Sequence, residues 1–377
     1  MDFALDETQK AVSDLAKKIF SQRLGPDVLK KVEADESRFL RPLWKELATA
    51  GLLGTAIPES HGGSGQDFIS LCALLEQVGA AVAPLPVFAT LALGALPVAE
   101  FGSPDLRQRL LPGVAQGEAI LSAALTEAGS DDPRRPATSA VRKKGEWLVS
   151  GTKICVPAAH LAERILVPAR TSDTGVGIFL VDPRAPGVKI ARQITTTGEP
   201  LGEVVLSDAR VNDGDVLGHP EGGNDVLAWL LPRATVALCA MELGVVDRAL
   251  RMTAEYTGSR RQFDRPIATF QAVAQRVADA YIDVEAIRVA TWHAAYRLSV
   301  GLPSAEAVAI AKFFSCEAGH RVVYAAQHLH GGIGFDLDYP LYRYYLWSKQ
   351  IELTLGSAVT HLTRLGAELA RDSSASS

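Results

Sequence analysis

Apolar positions recur at about the helical period through the first third of the chain. They alternate through the middle and return to the helical period for the remainder. Residues 6–22 place Val12, Leu15, Ala16 and Ile19 on one helical face behind Asp6, a residue suited to cap a helix N-terminus. A second amphipathic stretch, 41–50, stops at Gly51, and a glycine-rich loop follows at 58–65. Helical patterns resume at 67–80, 84–101 and 104–116. Rich in Ala, Pro and Leu, the segment 80–99 reads as a buried helix entered through Pro84 and Pro86.

Near residue 120 the period changes to two. Residues 120–126, 137–143, 146–151, 163–170, 176–182, 187–194 and 201–211 alternate in the manner of strands, separated by turns such as Lys144-Gly145 and Asp182-Pro183-Arg184. No helix-length pattern intervenes, which predicts an antiparallel barrel or sandwich and excludes a parallel doubly wound sheet. Four long helical patterns follow, at 223–258, 268–299, 304–329 and 338–369, with breaks at Pro266 and Pro303. The expected fold class is therefore α+β. An N-terminal α-helical domain (1–119) precedes a middle antiparallel β-barrel or sandwich domain (120–218), a C-terminal four-helix bundle (219–370) and a disordered tail (371–377).

Composition narrows the function. With 47% apolar and 21% charged residues the chain can repay the entropy of ordering, so it is not a disordered segment. Its formal charge of −5 lacks the basic excess that neutralises phosphates, so no nucleic-acid partner is expected. Cys72, Cys155, Cys239 and Cys316 are scattered in apolar stretches without a CxxC pair, which predicts four buried thiols, no disulfide and no metal site. The acidic N-terminus does not resemble a signal peptide, and the apolar runs between 78 and 98 are interrupted by Pro or Gly. The expectation is a cytoplasmic protein without a membrane span.

Common chemical motifs are absent: no GxxxxGK[ST], HExxH or GxSxG occurs, and Gly175-Val176-Gly177 sits in a β turn with no helix after it. Three segments remain. Thr126-Glu127 closes the first strand. Arg260, Arg261, Phe263, Arg265 and Pro266, followed by Phe270-Gln271, place guanidinium groups and aromatics between two long helices. That arrangement suits a pyrophosphate, and equally suits a basic helix end complementing the helix dipole. His328, His330, Gly331, Gly332 and Gly334 form the third segment. It is either an anion-binding turn open to close backbone approach or a plain glycine bend with core histidines.

In this order the segments resemble the acyl-CoA dehydrogenase family over nearly the whole chain. The resemblance starts with an F-x-L-x-x-x-Q opening (Phe3, Leu5, Gln9) and a P-E-x-x-G-G-x-G loop at 58–65. It continues through the T-E segment at Thr126, R-x-x-F-x-x-P-I from Arg260 to Ile267, and H-G-G-x-G-F from His330 to Phe335. Within the family it is most similar to chains common in actinobacterial steroid and fatty-acid catabolism. The resemblance implies α,β-dehydrogenation of an acyl-CoA thioester, with FAD as hydride acceptor and a glutamate as base. It also implies electron-transferring flavoprotein as electron acceptor and a neighbouring subunit that completes the site.

Carried over residue by residue, the resemblance assigns Thr126, Arg260, Phe263, Gln271, His328, Gly331 and Gly332 to FAD. The family has a glutamine where His328 stands, and a neutral imidazole donates one hydrogen bond where an amide donates two. Cys155 and Pro157 occupy places where the family has a tryptophan and a threonine over the flavin ring, and proline has neither an N–H nor a hydroxyl. The two places where the family carries its base hold Leu355 and Ala234, and a shift of register to Arg233 gives Pro232. Glu352, one turn before Leu355, is a weak substitute, and Glu242 reads as structural. A dehydrogenase-like chain without a base implies an α2β2 complex with a homologous, glutamate-bearing subunit. A self-sufficient homotetramer using an unrecognised base, and a flavin-free acyl-CoA-binding scaffold, stay open as alternatives.

Overall fold

The computed structural model describes residues 4–130 and 132–375; Phe3 of the opening motif lies outside them. Asp6 caps α1 (Glu7–Arg23) through a capping box: its carboxylate accepts the Gln9 N–H at 2.8 Å, and the Gln9 side chain accepts the Asp6 N–H at 3.0 Å. α2 (Pro26–Ala34) was not visible in the apolar spacing, although proline just after Gly25 is a helix-start signal. α3 (Arg41–Thr49) and α4 (Phe68–Ala80) follow. The expected buried helix at 84–101 is instead a π-helix, Phe88–Ala95, continued by α5 (Leu96–Phe101). Ser103 caps α6 (Pro104–Ala115) by accepting the Leu106 N–H.

The middle strands are β1 (Leu121–Ala123), β2 (Ser139–Lys143), β3 (Glu146–Pro157), β4 (Arg164–Arg170), β5 (Val176–Val181), β6 (Val188–Ile194), β7 (Pro200–Val211) and the short β8 (Val216–Leu217). They form one sheet in the order β6-β7-β3-β2-β4-β5-β8, with β1 added to β4. Most pairings are antiparallel, as the lack of crossover helices requires. β1 lies parallel to β4, and β2 meets β4 in parallel at Ser139 and Arg170, so the sheet is mixed and not purely antiparallel. Trp147, Val149, Ile165, Val167, Phe179 and Val204 are central to its buried face.

Next come α7 (Gly223–Ser259), a two-residue hairpin of β9 (Arg261–Gln262) and β10 (Arg265–Pro266), α8 (Gln271–Ser299) and α9 (Ala305–His330). The expected single helix at 338–369 is two, α10 (Leu341–Leu353) and α11 (Ala358–Ala375). They are parted at Leu355 (φ +59°) and Gly356 (φ +99°), a left-handed pair that no helix continues through. α11 extends five residues into the stretch expected as a disordered tail. Cys72, Cys239 and Cys316 are buried as expected, whereas Cys155 is exposed.

The contacts divide the chain into two compact units. The helical unit takes Met1–Lys30, Phe68–Ala83 and Thr235–Ser377; the sheet unit takes Lys31–Asp67 and Pro84–Ala234. Within the helical unit, α4 and α7 cross with backbones touching. A Cβ on Gly79 would lie 2.0 Å from the Met241 carbonyl oxygen, and one on Gly244 1.9 Å from that of Glu76, so only glycine allows this crossing. Among the described residues α7 is long and apolar enough to cross a membrane by length and composition, but most of that apolar stretch is buried inside the molecule.

Candidate functional site

In the sheet unit, the turn after β1 is fixed by a buried carboxylate. Glu127 accepts from Lys153 Nζ at 2.7 Å, the Thr138 N–H at 3.0 Å, the Thr138 hydroxyl at 2.6 Å and the Ala137 N–H at 2.6 Å. Lys153 is fully buried on the inner face of β3. Burial works against the Glu127 charge, but the Lys153 and Thr138 donors outweigh it and bring the carboxyl down to about 2. A carboxylate so fully engaged is an anchor and no proton acceptor. It holds the half-buried Thr126, whose carbonyl accepts the Ile154 N–H at 3.0 Å. The sequence reading singled out Thr126-Glu127 but missed Lys153, whose signal is a charged residue at an inward position of an alternating strand.

Two residues beyond Lys153, the register of β3 against β7 slips between Lys153 and Val156. Cys155 sits in this bulge at φ +53° with its side chain exposed, and its N–H donates to the Gln193 side chain at 2.7 Å. Burial of the thiol's surroundings pushes its pKa upward. Pro157 follows without an N–H, and its carbonyl accepts from Ser122 at 2.5 Å. This end of β3 therefore offers few donors beyond Thr126.

In the helical unit, exposed Arg260 follows directly on the end of α7 at Ser259 and makes no ion pair among the described residues. The β9–β10 hairpin turns through Phe263 (φ +50°) and Asp264 (φ +63°), both left-handed, as a two-residue loop of this twist demands. The turn lifts Phe263 to 86% exposure. Behind it Phe270 meets Phe263 edge-on at 6.2 Å, and Arg265 lies 4.1 Å over the Phe270 ring. Gln271 is exposed at the first position of α8, whose N-terminus carries no side-chain cap.

The glycine segment joins this region through an aromatic stack. Tyr256, one turn before Arg260, stacks on His330 at 4.4 Å, and His330 is fixed by the Ala326 carbonyl at 2.8 Å and the Tyr339 hydroxyl at 3.1 Å. Gly331, next in the chain, adopts φ +62°, ψ −140°, a conformation almost confined to glycine. A Cβ built on Gly331 or Gly332 meets nothing within 4 Å, so the turn faces open space. His328 is exposed, whereas Gln327 is buried against Gly334. Arg260, Phe263, Gln271, His328, Gly331 and Gly332 thus belong to one connected end of the helical unit, and Thr126 belongs to the sheet unit.

The carboxylates nearest in sequence to the expected base positions are otherwise engaged. Leu355 sits at the α10–α11 break, its carbonyl bound by His361 Nε2 at 3.0 Å. Lys312, fully buried, donates to the Ile351 carbonyl at 2.5 Å, and the Cys316 thiol to that of Glu352 at 3.4 Å, so side chains from α9 and α11 cap the end of α10. Glu352 pairs with Lys349 at 2.5 Å. Ala234 is fully buried in α7, and Arg233 lies 3.9 Å over the Trp229 ring. Glu242 is sealed at 0% exposure; one oxygen accepts from Ser348 at 2.6 Å and the other has no partner. Burial pushes its pKa up to about 7, with Ser348 and Lys312 acting in the opposite direction.

Comparison with known proteins covers the whole arrangement. Residues 6–118, 122–209 and 221–370 match the N-terminal, middle and C-terminal domains of acyl-CoA dehydrogenases. The chain is 38% identical to acyl-CoA dehydrogenase FadE27 of Mycobacterium tuberculosis, covering 98% of this chain and 99% of that protein. It is 31% identical to benzylmalonyl-CoA dehydrogenase of Aromatoleum aromaticum, over 97% and 98% of the two chains. Among solved structures it is similar to a chain of the ChsE4–ChsE5 complex from Mycobacterium tuberculosis, with a TM-score of 0.93, 38% identity and coverage of 98% and 99%. It is likewise similar to a chain of a variant of the Tcur3481–Tcur3483 steroid ACAD, with a TM-score of 0.92, 43% identity and coverage of 98% and 100%.

Proposed function

Because the chain belongs to the acyl-CoA dehydrogenase family of FAD-dependent CH–CH oxidoreductases, we propose that it is the base-lacking subunit of an α2β2 acyl-CoA dehydrogenase acting on a bulky, steroid-type thioester. The observation that carries this reading is the α10–α11 break. Leu355 stands there in place of a carboxylate, Glu352 is held by Lys349, and Glu242 is closed off in the bundle. The similar ChsE4–ChsE5 and Tcur3481–Tcur3483 proteins, each a pair of unlike chains, support the two-subunit form.

The residues present fit the pyrophosphate and adenosine half of FAD better than its ring. Arg260 offers an unpaired guanidinium, the Gly331–Gly332 turn offers open backbone, and the exposed Phe263 offers a stacking face. Gln271, with the uncapped first turn of α8, and His328 add polar groups at the same end. On the sheet side Thr126 supplies a hydroxyl, while the Cys155 N–H is taken by Gln193 and Pro157 has none. Bound FAD supplies the hydride acceptor for oxidation of the Cα–Cβ bond. This chain's share of the work is to hold the cofactor's charged half. The α-proton goes to a carboxylate on the homologous partner, because abstraction needs a positioned base and this chain supplies none. Electron-transferring flavoprotein is the proposed electron acceptor.

Expression alone and with a homologous glutamate-bearing subunit tests the proposal. Alone, the chain is expected to carry little flavin and to show no turnover with steroid-type or linear acyl-CoA. Together, the two chains are expected to copurify with FAD and to oxidise the thioester. Full flavin occupancy with turnover by the homo-oligomer would contradict the reading and return the base to this chain, with Glu352→Gln as the first variant to examine.

A further inference from the structure

The outer face of α8 and α9 carries a groove of about 490 Å³, all of it within the helical unit. Arg276, Asp279, Ile282 and Asp283 line it from α8, and His320, Arg321 and Tyr324 from α9. None of the residues assigned above to FAD or examined as a base is among the lining. Two arginines stand against two aspartates, so the groove has no charge surplus that would select a small ionic ligand. Its apolar side chains face water: Ile282 is 64% exposed and Tyr324 55%. Val289, two turns after Ile282 on the same side of α8, is exposed as well.

Most of the polar groups are already spent. Arg321 donates to Asp283 twice, from Nε at 2.9 Å and Nη2 at 2.5 Å. His320 meets Lys349 of α10 and stacks on Tyr324 at 6.0 Å. Arg276 and Asp279 are left. They stand three residues apart on α8, a spacing at which a helix can form an ion pair. Arg276 instead lies 5.9 Å from the Tyr324 ring centre, with its Nε enclosed and without an acceptor. Asp279 is exposed, and neither residue makes an ion pair or a hydrogen bond among the described residues. Each chain therefore presents one cation and one anion, about 4.5 Å apart along the helix axis by the helical rise, beside exposed apolar side chains.

We propose that a second copy of this chain docks on the groove through the same α8–α9 face, Arg276 of each copy pairing with Asp279 of the other and Ile282 and Tyr324 packing between the two pairs. A two-fold contact must be self-complementary, so that every pairing forms twice. A free cation and a free anion side by side meet that demand with no other chain. An unlike chain would meet it only by carrying the same pair in the same places. With 29 residues in α8 and 26 in α9, each helix runs for roughly 40 Å, long enough to supply the ~800 Å² per partner of a stable interface. The contact goes beyond the reading above, which calls for an unlike subunit. In an α2β2 complex it joins the two copies of this chain; in the chain alone it is the contact of self-association.

Sedimentation velocity of the full chain, purified alone and run over a concentration series, tests the proposal. The wild type is expected to self-associate reversibly. Arg276→Asp and Asp279→Arg should each weaken that association by at least about tenfold, because each sets like charges against one another twice across the two-fold axis. The double variant Arg276→Asp with Asp279→Arg exchanges the charges on both copies and should restore the association to near the wild-type strength. Circular dichroism checks that the variants are folded. Asp279→Asn serves should a reversal unfold, and is expected to weaken association severalfold. A wild type that stays monomeric, a folded single reversal that associates like the wild type, or a folded double variant that is not restored overturns the proposal. So does a single reversal that releases a coexpressed homologous subunit while self-association is unchanged, since the face then belongs to the unlike chain.

Discussion

Two buried glutamates, one in each unit, meet opposite fates. Glu127 of the sheet unit receives four donors, among them a buried ammonium, and stays ionised with its pKa near 2. Glu242 of the helical unit receives one, from Ser348, and is pushed up to about 7. Burial is alike in kind; the supply of donors decides the charge state. A strand edge and its neighbouring turn leave backbone N–H groups free to converge on a carboxylate. A helix interior spends its N–H groups on its own carbonyls, so only side chains are left to serve Glu242.

The sharpest way to break this contrast is to remove the ammonium from the well-served acid. Lys153→Met is expected to cost about 3–5 kcal/mol, the usual penalty for stranding a buried charge, read as a lowered urea midpoint at pH 7. Lowering the pH should erode the same contribution. Glu127's folded pKa lies below the ordinary 4.5, so its stabilisation is present above about pH 4.5 and is lost as pH falls toward 2.

Glu242 should behave in the opposite sense. Its folded pKa lies above 4.5, so the folded state holds the proton more tightly, and the cost of ionisation grows as pH rises from about 4.5 through 7. Glu242→Gln is therefore expected to stabilise the protein by up to about 3 kcal/mol at pH 8 and by little at pH 4.5, checked by chemical denaturation at both. Glu76, also near 7, loads the same window, so the variant is best judged as a difference from wild type.

Smaller effects sharpen the comparison at the ends of helices. Gly331→Ala places a Cβ at φ +62°, ψ −140° and is expected to cost on the order of 1–3 kcal/mol by thermal melting, although the added atom meets no neighbour. Glu352→Gln removes the partly exposed pair with Lys349 and the longer approach of His320 at 3.9 Å, and should change stability by less than about 1 kcal/mol in the same measurement. A large effect there would mean that Glu352 does more than face solvent.

Periodicity made the order of helices, strands and helices legible, because each long element buries one regular face. It failed where local geometry departs from a single period. The 338–369 pattern keeps its apolar spacing across Leu355-Gly356, so the break is carried by backbone φ and not by hydropathy. The parallel docking of β1 on β4 leaves no mark on the alternation of either strand. Cys155 reads as one more apolar strand position until the bulge turns it outward. The candidate cofactor residues were legible as motifs. Their connection through the Tyr256–His330 stack was not, since a ring contact between residues 74 positions apart has no local signature.

The hairpin tip has an evolutionary corollary. Phe263 and Asp264 hold a backbone shape that asparagine and glycine adopt with less strain. Within the isolated fold the ring gains only one edge-on contact, with Phe270 at 6.2 Å, since most of Phe263 faces water. Directed evolution for heat tolerance alone would therefore drift toward Asn-Gly at these two positions. Lineages selected for activity would keep the phenylalanine, and divergence of the two populations at this one loop would reveal which demand the tip answers to.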